Sequence, residues 1–199
     1  MTTRSYASPR RAQAAGETRE AILGAALELF EARGYADVGM NDVAARAGVS
    51  LNTIYVSVGK KPQLLLSLLH DAANGTEIDS ALARVHAEDS PTRIIDIIAR
   101  GTRGVFERHS WALGELYDNA AACAEFADAI AASEQRYRDR LTLVAKRIVL
   151  LRPSLDAGRV ADILWFYFGF RPWRELRKLQ WSWDESERWL TGQAESALR

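Results

Sequence analysis

The sequence predicts an all-α protein, with a small three-helix head at its N-terminal end followed by a larger helical body. Three observations carry this reading. Apolar residues recur at steps of three and four along most of the chain, the spacing that gathers them on one face of a helix. The apolar–polar alternation of a half-buried strand is nearly absent. Proline, glycine and serine fall between the periodic runs, where helices start and stop. At 199 residues, 48% of them hydrophobic, the chain can bury a sizeable core without disulfide or metal support.

The elements follow in order. Residues 1–16 hold Arg4, Arg10 and Arg11, no acid, and several Ala, Ser and Gln. They read as a disordered basic arm. A transit peptide shares that composition, but no small-residue cleavage site follows the next apolar run. From Thr18 to Arg33, Ile22, Ala25, Ala26, Leu29 and Phe30 form one helical stripe, and Gly34 supplies its stop. Two short helices, Met40 to Ala47 and Leu51 to Ser57, are separated only by Gly48, Val49 and Ser50. Pro62 suits the first turn of the next helix, which Leu64 to Leu69 continue, with Gly75 as a bend or end.

Ser90 and Pro91 mark another start, and Ile94, Ile95, Ile97 and Ile98 make a helix that is apolar around much of its circumference. From Cys123 to Leu151, Phe126, Ile130, Ser133, Tyr137, Leu141, Val144, Ile148 and Leu151 recur by threes and fours. This is read as a core helix in preference to a coiled-coil seam, and Pro153 ends it. The run Ile163 to Phe170 is aromatic enough for a strand, but no partner strand exists and the preceding residues have helical spacing, so a helix from Leu155 to Phe170 is expected. Ser182 with Glu185 is a capping box for a last helix to Leu198.

Several function classes are disfavoured at once. One cysteine, Cys123, cannot close an internal disulfide. No run approaches ~18 uninterrupted apolar residues, so no membrane partner is expected and a cytoplasmic location is. His70, His86 and His109 are too scattered for a metal signature. There is no phosphate loop, nucleophile elbow or HExxH, so no catalytic residue, metal or cofactor is expected. The 26 Lys and Arg equal the 26 Asp and Glu, and any nucleic-acid surface must be local. Residues 1–61 hold eight basic and six acidic side chains, a modest bias of the required sign.

The densest pattern is Val38-Gly-Met-Asn-Asp-Val-Ala-Ala-Arg-Ala-Gly-Val-Ser-Leu-Asn-Thr-Ile-Tyr55. Val43, Ala44, Ala47, Val49 and Ile54 can close one small core around a turn at Gly48, and Ser50 can cap the second helix. The outcome is a helix-turn-helix, about residues 39–58, whose second helix fits a major groove. Ile22-Leu23, Ala26, Leu29-Phe30, Gly34-Tyr35, Val43-Ala44, Ala47 to Ser50, Thr53 to Tyr55, Lys61 and Leu64-Leu65 resemble the DNA-binding domain of TetR-family transcriptional regulators. The segment Trp181 to Leu190 resembles a frequent ending in that family. Three departures stand out: Val38-Gly39 replaces the hydroxyl residues that usually open the second helix, Asn52 replaces a glycine, and Val58 replaces an aromatic.

Asn52 can form a bidentate contact to adenine and Leu51 can meet a thymine methyl. Ser50, Thr53 and Tyr55 have hydroxyls suited to phosphate, and Asn41, Lys60, Lys61 and Arg19 complete the expected DNA-binding set. Arg4, Arg10 and Arg11 could reach an adjacent groove from the arm. The resemblance implies residues 17–61 as the DNA-binding domain and residues 62–199 as a ligand-binding and dimerisation body. For a small-molecule effector pocket the aromatic candidates are Trp111, Tyr117, Phe126, Tyr137, Trp165 and Phe168. For a homodimer interface they are Ile163, Phe166, Phe170, Trp189, Leu190 and Ala194. The function so implied is a ligand-responsive dimeric repressor on a palindromic double-stranded DNA operator. The missing hydroxyl at Gly39 leaves open a helical interaction protein with a degenerate reading head.

Overall fold

The computed structural model describes the backbone of residues 9–74 and 76–199 and the side chains of 13–69 and 78–199. Arg4 and Gly75, and the side chains of Arg10, Arg11 and His70, lie outside the described residues. Among the described residues every regular element is helical: α1 (Pro9–Arg33), α2 (Met40–Ala47), α3 (Leu51–Ser57), α4 (Lys61–Asn74), α5 (Thr76–Ala87), α6 (Pro91–Asn119), α7 (Ala124–Leu151), α8 (Ala157–Phe168), α9 (Phe170–Lys178) and α10 (Trp183–Ala197).

The start of α1 corrects the expected arm, because residues 9–16 are already helical. They lack an apolar stripe, but Ala12, Gln13, Ala14 and Ala15 are strong helix formers and Pro9 is tolerated at a first turn. Ile22, Ala26 and Phe30 of α1 are buried with Val38, Val43, Ile54, Leu64 and Leu65. The head's core therefore includes α4 and passes the boundary expected at residue 61. It also takes in Ala112 and Leu116 of α6 and Phe126 of α7.

A second core fills the body. Ile94, Ile95, Ile98 and Ala99 of α6 meet Leu141, Val144 and Ile148 of α7, Leu164 and Phe168 of α8, Trp173 of α9, and Leu190 and Ala194 of α10. The apolar face of α7 is thus buried within its own subunit, as a core helix requires. Helix α6 serves both cores, and between its two contact regions His109 departs from helical geometry (φ −116°, ψ 15°).

The aromatic run is helical, but it ends two residues before the expected Phe170. Gly169 is extended (φ −67°, ψ 166°) and opens α9. A Cβ at this position would lie 2.9 Å from the carbonyl oxygen of Trp165 in the last turn of α8, the same oxygen that accepts the Gly169 N–H, so this helix end favours glycine. Three side chains hold the later termini. Asp156 Oδ1 accepts from Arg159 N at 2.9 Å, and Ser182 and Glu185 form the anticipated capping box at 3.2 and 2.8 Å.

Candidate nucleic-acid interface and cavity

The geometry of the reading head begins at the turn. Gly48 adopts φ 67°, ψ 29°, a left-handed conformation that favours glycine, and Val49 N donates to Ala44 O at 3.0 Å. Ser50 Oγ then accepts from Thr53 N at 3.1 Å and lies 2.8 Å from Thr53 Oγ1. With Ile54 wholly buried, the opposite face of α3 is fixed outward. Asn52 is exposed, Tyr55 is 47% exposed and Val56 81%. Residues 52, 55 and 56 share one helical face by their spacing. Leu51 and Thr53 are half-buried beside it.

Helix α2 lacks a side-chain cap at Gly39, as its sequence implies. Asp42 at the third position nevertheless accepts from Gly39 N at 2.8 Å and pairs with Arg33 at 3.4 Å. Asn41 is exposed in the first turn of α2. Arg46 forms an ion pair with Glu28, which ties α2 to α1.

The basic residues expected at the interface divide into two kinds. Lys60 is exposed, with its backbone N–H donating to Gln63 Oε1 at 2.8 Å. Lys61 turns inward: its Nζ donates to Ala36 O at 3.1 Å and stands 4.4 Å from the Tyr35 ring centroid. Burial lowers the Lys61 pKa, while Asp37 and Glu115 act in the opposite sense. Arg19 is likewise engaged within the molecule, donating to Ser57 O at 2.8 Å and Ser67 Oγ at 2.9 Å. Arg19 thereby joins α1 to α3 and α4, and Lys61 joins the start of α4 to the segment before α2. Val56 is an apolar residue that the structure leaves outside the core, on the same face as Asn52.

Between the two cores lies a cavity of about 790 Å³, with walls from α5, α6, α7, α8 and α9. Of the expected pocket aromatics, Tyr117, Tyr137 and Trp165 line it. Trp111 and Phe126 belong instead to the head's core, with ring centroids 6.3 Å from Phe30 and 5.7 Å from Tyr35 respectively. Phe168 is enclosed in the body core. Tyr117 Oη donates to Glu134 Oε1 at 2.9 Å, and Tyr137 Oη donates to Phe168 O at 3.3 Å. Burial, the largest influence on each, raises the pKa of both hydroxyls.

The expected dimer residues also separate. Phe166 is 67% exposed, Trp189 43%, and Ile163 is half-buried. Phe170 faces the cavity, 4.8 Å from Tyr117. Leu190 and Ala194 are fully enclosed by their own subunit. These three are corrected from interface to interior: α9 folds Phe170 inward, and α6 and α8 cover the inner face of α10. Among the described residues no cluster of His, Cys, Asp and Glu could hold a metal ion, and no helix is long and apolar enough to cross a membrane.

A reading head of three helices and a capped, outward-facing α3, joined to a helical body with a cavity between its helices, defines the class of helix-turn-helix transcriptional regulators. The model of the tetR family of bacterial regulatory proteins matches residues 22–68. Over 135 residues the chain is 31% identical to the HTH-type transcriptional repressor Rv3405c of Mycobacterium tuberculosis, covering 65% of this chain and 68% of that one. The chain belongs to the TetR family. It is also 35% identical over 65 residues to the HTH-type transcriptional regulator SrpR of Pseudomonas putida, covering 33% of this chain and 30% of SrpR. The chain thus matches less than half the length of SrpR and of a second P. putida regulator, TtgW.

Solved structures agree in fold. A TetR transcription regulator of Haloarcula marismortui superposes with a TM-score of 0.65 at 18% identity, covering 92% of this chain and 96% of that one. The SmeT–triclosan complex gives 0.63 at 16% identity, covering 91% of each chain.

Proposed function

We propose that the protein is a dimeric, ligand-responsive transcriptional repressor, located in the cytoplasm, that binds a palindromic double-stranded DNA operator through residues 51–57 of α3. The observation that carries the reading is the outward face of Asn52, Tyr55 and Val56 on a capped helix whose other side is locked by Ile54. In a major groove Asn52 supplies a donor and an acceptor suited to adenine, while Leu51 and Val56 offer apolar contact to thymine methyls. Ser50, Thr53 and Tyr55 supply hydroxyls for phosphate, with Asn41 and Lys60 flanking them.

A two-fold related pair of chains, meeting through the exposed Phe166 and Trp189, would present two such helices to the two halves of a palindrome. The cavity provides the effector site, and a ligand there acts by binding the DNA-competent and DNA-incompetent states with different affinity. The protein's role is binding and regulation, with no catalysis assigned to it.

The test is DNA affinity measured against salt for wild type and variants. Wild type should bind duplex with an affinity that falls steeply as salt rises, by a log–log slope of about −0.9 for each phosphate neutralised. Phe166→Asp should shift the sedimenting species to a single chain and lose the operator. A wild-type protein that sediments as one chain and binds DNA with no salt dependence would reject the proposal.

A further inference from the structure

We infer that the effector is an uncharged, largely apolar molecule carrying a hydrogen-bond donor, a hydroxyl or an N–H, that is received by Glu134 on the α7 wall of the cavity. This deepens the reading of the cavity as the effector site and rests on it.

Volume and wall chemistry set the bulk of the ligand. A cavity of about 790 Å³ lies within the ~300–1,000 Å³ range of sites for drug-sized molecules. Phe106, Leu116, Leu141, Val144, Trp165 and Phe170 give it apolar walls. Among the described residues, the arginines on the wall are spent elsewhere or face solvent. Arg84 and Arg136 are exposed, Arg100 is exposed and paired with Asp96 at 3.9 Å, and Arg140 is already engaged.

The polar groups that remain form one strip, and its hydrogen bonds all run the same way. Tyr137 and Glu134 are one turn apart on α7, Tyr117 reaches Glu134 from α6, and Thr102 lies beside Tyr137. Thr102 Oγ1 is 2.9 Å from Ile98 O and 3.0 Å from Ala99 O, one of which takes its proton. Tyr137 Oη gives its proton to Phe168 O, and Tyr117 Oη gives its proton to Glu134 Oε1. A hydroxyl has a single proton and two lone pairs, so these three offer a ligand lone pairs only. Glu134 is the strongest acceptor of the set, because a carboxylate has about four lone-pair sites and makes charge-assisted bonds. The Ser80 and Ser133 hydroxyls are exposed, and the Trp165 indole N–H belongs to α8, outside the strip. An ether or ketone oxygen thus meets no proton on the strip, whereas a ligand hydroxyl or N–H meets a carboxylate. A carboxylate ligand would face Glu134, a like charge. An ammonium would enter where positive charge already acts, since Arg171 and Arg140 oppose the upward push that burial gives the Tyr117 and Tyr137 hydroxyls.

Naphthol, its methyl ether, the methyl naphthyl ketone and naphthylmethylamine, all substituted at the same ring carbon, test the inference by titration calorimetry of the full chain at neutral pH. Naphthol should bind about tenfold or more tighter than the ether, with the ketone no better than the ether and the amine weakest. Glu134→Gln, which keeps an oxygen for Tyr117 and adds an amide N–H, should bring naphthol to within about threefold of the ether and tighten the ketone. Trp165→Phe, which removes the indole N–H, should leave the ratio of naphthol to ether as it is. Gly104→Leu, at a wall position where a Cβ would meet nothing within 4 Å, should weaken every probe that binds. Equal binding of naphthol and ether, a ketone or amine that binds tightest, a ratio unmoved by Glu134→Gln, or a ratio lost with Trp165→Phe overturns the donor assignment, while sensitivity to Gly104→Leu keeps the cavity as the site. Binding indifferent to Gly104→Leu, or absent for every probe, overturns the cavity reading and the inference together.

Discussion

Neighbouring residues of the same type do different jobs at the edge of the reading head. Lys60 faces outward, whereas Lys61 donates to Ala36 O and covers the Tyr35 ring. Lys61→Ala should therefore lower the unfolding free energy by about 1 kcal/mol, the combined scale of a hydrogen bond and a cation–π contact, which urea denaturation will show. Lys60→Ala should leave that midpoint unchanged and weaken DNA binding at low salt with a shallower salt slope. Tyr55→Ala should abolish operator binding with unchanged helical content, because Tyr55 lies half outside the core. Lys61 was legible in sequence as a position but not as a role. A lysine beside a helix start looks the same whether its ammonium points to phosphate or to a carbonyl 25 residues earlier, and only the fold brings Ala36 and Tyr35 beneath it.

At the scale of elements, caps and glycines set the turns. Ser50→Ala should cost about 1 kcal/mol, read as a lower thermal midpoint, through loss of the α3 cap. Gly48→Ala should cost a similar ~1 kcal/mol because an L-residue is strained at φ 67°. Gly169→Ala should also lower the midpoint, there through collision with the Trp165 carbonyl at an ordinary φ. The first two are readable from sequence: Gly48 and Ser50 stand between two short periodic runs, and local backbone chemistry decides them. The break at Gly169 is not, because the aromatic run continues across it and only the backbone shows the Trp165 carbonyl crowding the position. Apolar spacing sets another limit: it misses the first turns of α1, which have helix-forming composition but no apolar stripe. It also leaves open Phe170, Leu190 and Ala194, whose apolarity is equally consistent with a core or an interface until their neighbours are known.

At the scale of the whole molecule, α6 and α7 contribute to both cores, so head and body should unfold together. Calorimetry should give a single transition with equal calorimetric and van't Hoff enthalpies. Phe126→Ala, although located on α7, should destabilise by about 3–5 kcal/mol through a void in the head's core.

Alkaline pH should act on the same unit. Tyr35 is pushed from 10.0 up to about 12, first by burial and then by nearby acidic groups, and burial raises Tyr117 and Tyr137 as well. Below about pH 10 these tyrosines are protonated in both states and contribute no pH dependence. As pH rises from about 10 towards about 12 the unfolded chain loses protons that the folded one keeps, so stability falls. Denaturant titrations at successive pH values should show that fall, reduced in Tyr35→Phe.

The central claim is that this head reads DNA through the outer face of α3. Selection of bound duplexes from a random pool, run in parallel with wild type and with Asn52→Ala, tests it most directly. Wild type should enrich an inverted repeat, and Asn52→Ala should relax the preference at one base pair, an adenine, in each half-site. A wild-type pool with no enriched sequence at low salt, or an Asn52→Ala pool identical to it, would contradict the claim.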